Sequence, residues 1–310
     1  MANLGYIQLV RVCNQQCRFC SNPETDYKLP VEDAMKKVDD LRERGYDGII
    51  LTGGEPTMCP YLEELIAYAT SRGVASRMIT NGQKTADPAL VERLVAAGLK
   101  HVHVSVHSHD AKVQAELTGN PDSLPNIEKS LENFHRAGVN ADVNITIQAY
   151  NGGSLDRVVG WLVSRFPHLR HFVFNFLDPT SDRVAVNRDT IPKLADVELS
   201  LHRALTMLHK SRRTFRVERV PLCYMAEFAW ASTETRKIVK EEERIVHFLD
   251  QRGMVRQTTF RHGKADVCKV CLLEPICAGL FEMDTFYQSA ELYPVFLPPG
   301  PIIKRIKESD

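Results

Sequence analysis

His101-Val-His103-Val-Ser105-Val-His107 alternates strictly, so as an extended strand it puts valine on one face and His, His, Ser and His on the other. Asp142-Val-Asn144-Ile-Thr146-Ile-Gln148 repeats the pattern. Strands of this kind lie among others read at residues 5–12, 48–52, 74–80 and 171–177. Amphipathic helical stretches at 31–44, 61–71, 88–97, 124–137, 155–166 and 191–211 separate or follow them. Six strand-helix units predict parallel strands with right-handed crossovers. Helices on the outside require the apolar strand faces, so the polar rows face inward. A closed eight-fold barrel fills its interior with apolar side chains. A polar interior therefore predicts an α/β fold of the incomplete, TIM-type (β/α)6 kind, open enough to hold a large polar ligand.

The pattern changes near residue 214, dividing a barrel at 1–214 from a smaller Cys-rich region at 215–310. That region reads as a short strand at 215–220, a charged helix at 233–249, and an aromatic tail whose prolines at 298–301 form a surface extension. Lys and Arg together number 39, as do Asp and Glu, which removes the electrostatic footprint of a protein gripping nucleic acid or an anionic membrane. No stretch of 18 apolar residues and no secretory signal pattern occurs, so a cytoplasmic protein is expected.

Eight cysteines are clustered in a way that suits ligands better than disulfides. Cys13, Cys17 and Cys20 follow the first strand with the spacing Cys-x3-Cys-x2-Cys. Three thiolates on one loop can wrap an iron-sulfur cluster and leave its fourth iron open. Cys268, Cys271 and Cys277 form a second group, for which Cys223 offers an upstream fourth ligand; Cys59 is left for packing.

The N-terminal triplet, with Phe19 before its third cysteine, resembles the signature of the radical S-adenosylmethionine (SAM) superfamily. Gly53-Gly54-Glu55-Pro56 at the end of the second strand and Asn81-Gly82 at the end of the third extend the resemblance, which covers about residues 5–180. It implies a SAM-binding 4Fe-4S cluster on Cys13, Cys17 and Cys20. Phe19 would lie near adenine, and Gly53, Gly54 and Glu55 beside the methionine amino group. Asn81, Ser105, Asn144 and Asn175 would add polar contacts to SAM. The C-terminal spacing resembles SPASM and twitch domains and implies a second, auxiliary 4Fe-4S cluster on Cys223, Cys268, Cys271 and Cys277. Zinc on those four cysteines is the alternative there.

No carboxylate appears at a spacing that would complete a metal site with His101, His103, His107 and His109. They read as lumen or surface histidines, with His107, at the catalytic end of its strand, a candidate general acid or base. The resemblance further implies an external electron donor of flavodoxin or ferredoxin type and hydrogen abstraction from a substrate. That substrate is a peptide or, alternatively, a small molecule, sugar or cofactor precursor. A non-catalytic zinc or iron-sulfur protein is the reading from another class. The first strand starts near residue 5, so a leader-binding domain before the barrel is not expected.

Overall fold

The computed structural model describes residues 4–23, 25–249 and 253–309. Among the described residues, nine strands form one sheet: β1 (Leu4–Val10), β2 (Gly48–Gly53), β3 (Ala75–Thr80), β4 (His101–Ser105), β5 (Asn140–Ile147), β6 (His171–Phe176), β7 (Thr214–Glu218), β8 (Arg244–His247) and β9 (Met254–Gln257), in the order β7-β6-β5-β4-β3-β2-β1-β8-β9. Every neighbouring pair is parallel except β8 with β9.

The alternation in β4 and β5 does what the sequence requires. Val102, Val104, Val143, Ile145 and Ile147 are fully buried under the outer helices. His103, Asn144, His171 and Asn175 line a cavity of about 730 Å³ inside the curved sheet, together with Tyr6, Arg77, Arg216 and Arg244. The outer helices start where short polar side chains cap them: Asp87 accepts from Ala89 N and begins Pro88–Ala97, and Asp110 accepts from Lys112 N and Val113 N and begins Ala111–Thr118.

Three features depart from expectation. The sheet runs past residue 214: β7 registers along β6 from His171↔Thr214 to Asn175↔Glu218, and β8 joins the far edge beside β1. The expected helix at 233–249 stops at Lys240, because Glu241 takes a left-handed conformation (φ 55°) and turns the chain into β8. A salt bridge of 2.9 Å from Arg244 to Glu218 then links the β8 and β7 ends of the open sheet. Finally, the proline-rich tail begins a helix, Pro299–Glu308, since proline is tolerated in a first helical turn. Ile306 of that helix is fully buried and Arg305 stacks on Trp230 at 3.6 Å.

Candidate functional site

The loop carrying Cys13, Cys17 and Cys20 leaves the C-terminal end of β1, where backbone bonds fix it on two sides. Gln16 N and Arg18 N donate to the carbonyls of Thr118 and Leu117 at 3.0 Å each, tying the loop to the end of the helix Ala111–Thr118. Opposite, Gly54 N donates to Val10 O at 2.5 Å and Glu55 N to Val12 O at 3.0 Å. Gly53 has φ 130°, and a Cβ on Gly54 would overlap the carbonyl oxygens of Val12 and Arg11. Both glycines are thus needed for backbone to approach backbone just before Cys13.

Glu55 is fully buried, and its carboxylate is committed within the protein. Oε1 accepts from Thr57 N, Thr57 Oγ1 and Thr80 Oγ1, and Oε2 accepts from Asn81 N at 2.7 Å. The carboxylate clamps together the loops after β2 and β3. Asn81, held that way, aims Nδ2 at Cys13 Sγ (3.6 Å) and at Asn14 Oδ1 (2.7 Å).

The three thiols are free and half-buried. They act on one another: Cys20 and Cys13 both raise the Cys17 pKa, and Cys20 raises that of Cys13, in each case after the larger effect of burial. The Arg183 guanidinium opposes this at Cys17, whose carbonyl it also reaches at 3.3 Å. Buried, mutually repelling thiols with few cations are poor thiolates by themselves, and a metal deprotonates such ligands outright. The donor set therefore fits an iron-sulfur cluster.

Phe19 is buried with Leu117, Leu177 and Val184 and meets the His107 ring edge to face at 4.7 Å. His107 is also buried, which lowers its pKa to about 4, and its Nδ1 accepts from Thr146 N at 3.3 Å. The lone pair a general base needs is already taken. His107 is thus a neutral ring behind Phe19 that carries its proton on Nε2. Ser105 registers with Asn144, and Asn175 donates to Asn144, so these three form one polar row across β4, β5 and β6.

Sequence reasoning missed Arg18, Gln114 and Asn151. Arg18 pairs with Glu116 at 2.8 Å and Asp189 at 2.7 Å, and bonds Tyr150 and Asn187. Gln114 accepts from the backbone of His107 and Ser108, and Asn151 donates to the His107 carbonyl. Arg18 lies within the cysteine motif, but its charge alone named no partner; nothing local marked the other two.

The second cysteine group is built differently. Cys223 is the second residue of a run of 3-10 turns, and Cys268, Cys271 and Cys277 sit in or directly after two others. Cys277 and Cys268 raise the pKa of Cys223, which burial first pushes up; it stands at about 12. Val295 N donates to Cys271 Sγ and Gly279 N to Cys277 Sγ, both at 3.3 Å. Three tyrosines strap this region down: Tyr287 OH donates to Leu177 O just past β6 at 2.8 Å, Tyr293 OH to Cys223 O and Tyr224 OH to Glu291 O at 2.6 Å each. Cys59 is buried in the core.

The fold has known counterparts. Residues 7–159 match the model of the radical SAM superfamily. Over that segment the chain is similar to radical SAM superfamily proteins. Proteins of this superfamily use a 4Fe-4S cluster together with SAM. Among curated proteins, the PqqA peptide cyclase of Granulibacter bethesdensis is 30% identical over 156 residues, 49% of this chain and 41% of its own. The S-adenosylmethionine-dependent nucleotide dehydratase of Lacinutrix mariniflava is 30% identical over 152 residues, 45% of this chain and 32% of its own. The matched segment thus spans less than half the length of either relative. Among solved structures, Streptococcus suis SuiB bound to S-adenosylmethionine superposes with TM-score 0.65 at 17% identity, covering 90% of this chain and 73% of SuiB. Native anSMEcpe with bound AdoMet gives 0.65 at 13% identity, covering 98% and 96%. At these identities the likeness is one of fold. Among the described residues, no helix is long and apolar enough to cross a membrane.

Proposed function

We propose that this chain is a radical SAM enzyme whose Cys13, Cys17 and Cys20 hold the SAM-binding cluster and whose Cys223, Cys268, Cys271 and Cys277 hold an auxiliary one. The observation that carries the reading is the cysteine loop itself: three free, mutually coupled thiols fixed between the helix Ala111–Thr118 and the Gly53-Gly54 turn, within a family-matched barrel. When bound, the cluster and SAM supply a 5′-deoxyadenosyl radical that abstracts hydrogen from substrate.

The protein's own groups position and shield. Asn81 donates toward Cys13 Sγ, and such hydrogen bonds to ligand sulfur tune a cluster's potential. Glu55 holds Asn81 in place through its backbone. Phe19 and His107 form an apolar, proton-neutral wall that keeps water from the loop. Ser105, Asn144 and Asn175 supply hydrogen-bonding groups for the polar parts of SAM from the lumen side. The tyrosine-strapped C-terminal region covers the β6 end of the barrel and forms part of the substrate site.

The substrate is proposed to be a peptide, supported by the relatives named PqqA peptide cyclase and by the fold likeness to SuiB bound to precursor peptide SuiA. A small-molecule substrate is the second reading, favoured by the equally identical nucleotide dehydratase. The electron enters from an external donor of flavodoxin or ferredoxin type. Anaerobic reconstitution tests the reading: about eight irons per chain are expected, with about four lost in the Cys13/Cys17/Cys20 triple alanine variant. 5′-Deoxyadenosine should appear with dithionite and SAM. Zinc in place of iron at the loop, or no SAM cleavage by the reconstituted protein, overturns it.

A further inference from the structure

The lumen contains a third donor cluster, separate from both cysteine groups. His101 and His103 lie on β4 and Asp142 on β5, with His103 and Asp142 directly in register. Asp142 Oδ2 lies 2.6 Å from His101 Nε2 and 3.6 Å from His103 Nδ1. One donor atom from each of the three residues falls within 4.8 Å of the others. The carboxylate missing from the local sequence comes from the neighbouring strand.

We infer that His101, His103 and Asp142 form a binding site for a divalent, zinc-class cation near the N-terminal ends of the barrel strands. The cysteine loop leaves the opposite end of β1, so this site is separate from it. Imidazole and carboxylate ligands about 2.0–2.2 Å from a tetrahedral ion sit about 3.4 Å apart. The His103–Asp142 separation already matches that spacing and is too long for a hydrogen bond. The His101–Asp142 pair must open by under about 1 Å, with the His101 proton moving from Nε2 to Nδ1 so that Nε2 can coordinate. His103 Nε2 is sealed from solvent and has no hydrogen-bond partner, while Nδ1 faces the Asp142 carboxylate at 3.6 Å.

The cavity supplies both the route and the limits. Arg77 and Arg216 line it beside His103 and His171, and the Glu218–Arg244 pair lies across it. His171 Nδ1 is held by Thr214 Oγ1 at 2.7 Å and stands outside the compact trio. One carboxylate leaves a bound dication with net positive charge next to these guanidiniums. Among the described residues Arg77 has no hydrogen bond or ion pair, so the fourth position is best filled by a small anion or a deprotonated water facing it.

Zinc content decides the proposal. Protein with both clusters assembled anaerobically is incubated with zinc chloride at about 10 µM, desalted, and analysed for zinc and iron by mass spectrometry, a range where a three-ligand protein site should hold. Wild type should retain one zinc with its iron unchanged. Asp142→Asn and His103→Gln should each retain at least tenfold less, with iron content and far-ultraviolet circular dichroism as in wild type. Zinc-edge X-ray absorption of the wild type provides a readout independent of variant folding. A first shell of nitrogen and oxygen at about 2.0 Å supports the site, whereas sulfur at about 2.3 Å places the metal on cysteine and overturns it. No retained zinc, retention unchanged in both variants, or zinc gained at the expense of iron overturns it equally.

Discussion

The two cysteine groups sit on the same molecule but are fixed by opposite means. The N-terminal loop is laced to its surroundings by main-chain bonds, Gln16 and Arg18 to one side and Gly54 and Glu55 to the other, and it offers three thiols. The C-terminal group offers four, spread over short 3-10 turns and held down by tyrosine hydroxyls. Three sulfurs cannot saturate a four-iron cluster and four can. On the proposed reading, the first group leaves room for an exchangeable ligand and the second closes its cluster. A catalytic metal needs its geometry fixed more tightly than a structural one, and rigid backbone lacing on one side against side-chain straps on the other follows that demand.

The comparison breaks most sharply at Cys17. Cys17→Ala removes the thiol whose pKa both of its partners raise, and 5′-deoxyadenosine formation should fall by at least about a thousandfold, to the uncatalysed background. About four irons should remain on the auxiliary cysteines. Cys277→Ala should give the mirror image: about four irons lost, and SAM cleavage by dithionite kept within about tenfold of wild type while conversion of substrate fails. If Cys277→Ala abolished SAM cleavage too, the division between open and closed clusters would not hold. Gly54→Ala probes the lacing instead of the ligands. Its new methyl group meets the Val12 and Arg11 carbonyls, which cannot give way without moving the turn before Cys13. A loss of about 1–3 kcal/mol in denaturant unfolding is expected, together with substoichiometric iron at the N-terminal cluster alone.

Much of this was legible in the sequence, for reasons that also set the limit. The valine and isoleucine alternation in β4 and β5 is a local signal, and it correctly put the polar row inside the barrel. The cysteine triplet and Gly53-Gly54 are local too. What sequence could not show were the relations between strands. Asp142 is 39 residues beyond His103, and only the parallel register makes them neighbours. The commitment of Glu55 to Thr80 and Asn81 likewise depends on two loops meeting in space. The charged stretch after Thr233 reads as one helix because nothing local marks Glu241 as the residue that turns left-handed, and the tail prolines read as a surface extension because a helix start and a loop share them.

The smallest effect is expected at His107, where sequence position argued for proton transfer and the structure argues for packing. Burial lowers its pKa to about 4 in the folded protein, against about 6.5 in an unfolded chain. The unfolded state therefore binds the extra proton first as pH falls. The stability tied to this depressed pKa is fully present above about pH 6.5, declines as pH drops from there toward about 4, and changes no further below it. His107→Gln should flatten that part of the stability curve. The rate of SAM cleavage between pH 6.5 and 8 should stay within about threefold of wild type, because a side chain that never changes charge in that window contributes no pH-dependent step. A wild-type rate profile with a titration near pH 6.5 that the glutamine variant loses would return His107 to the proton-transfer role.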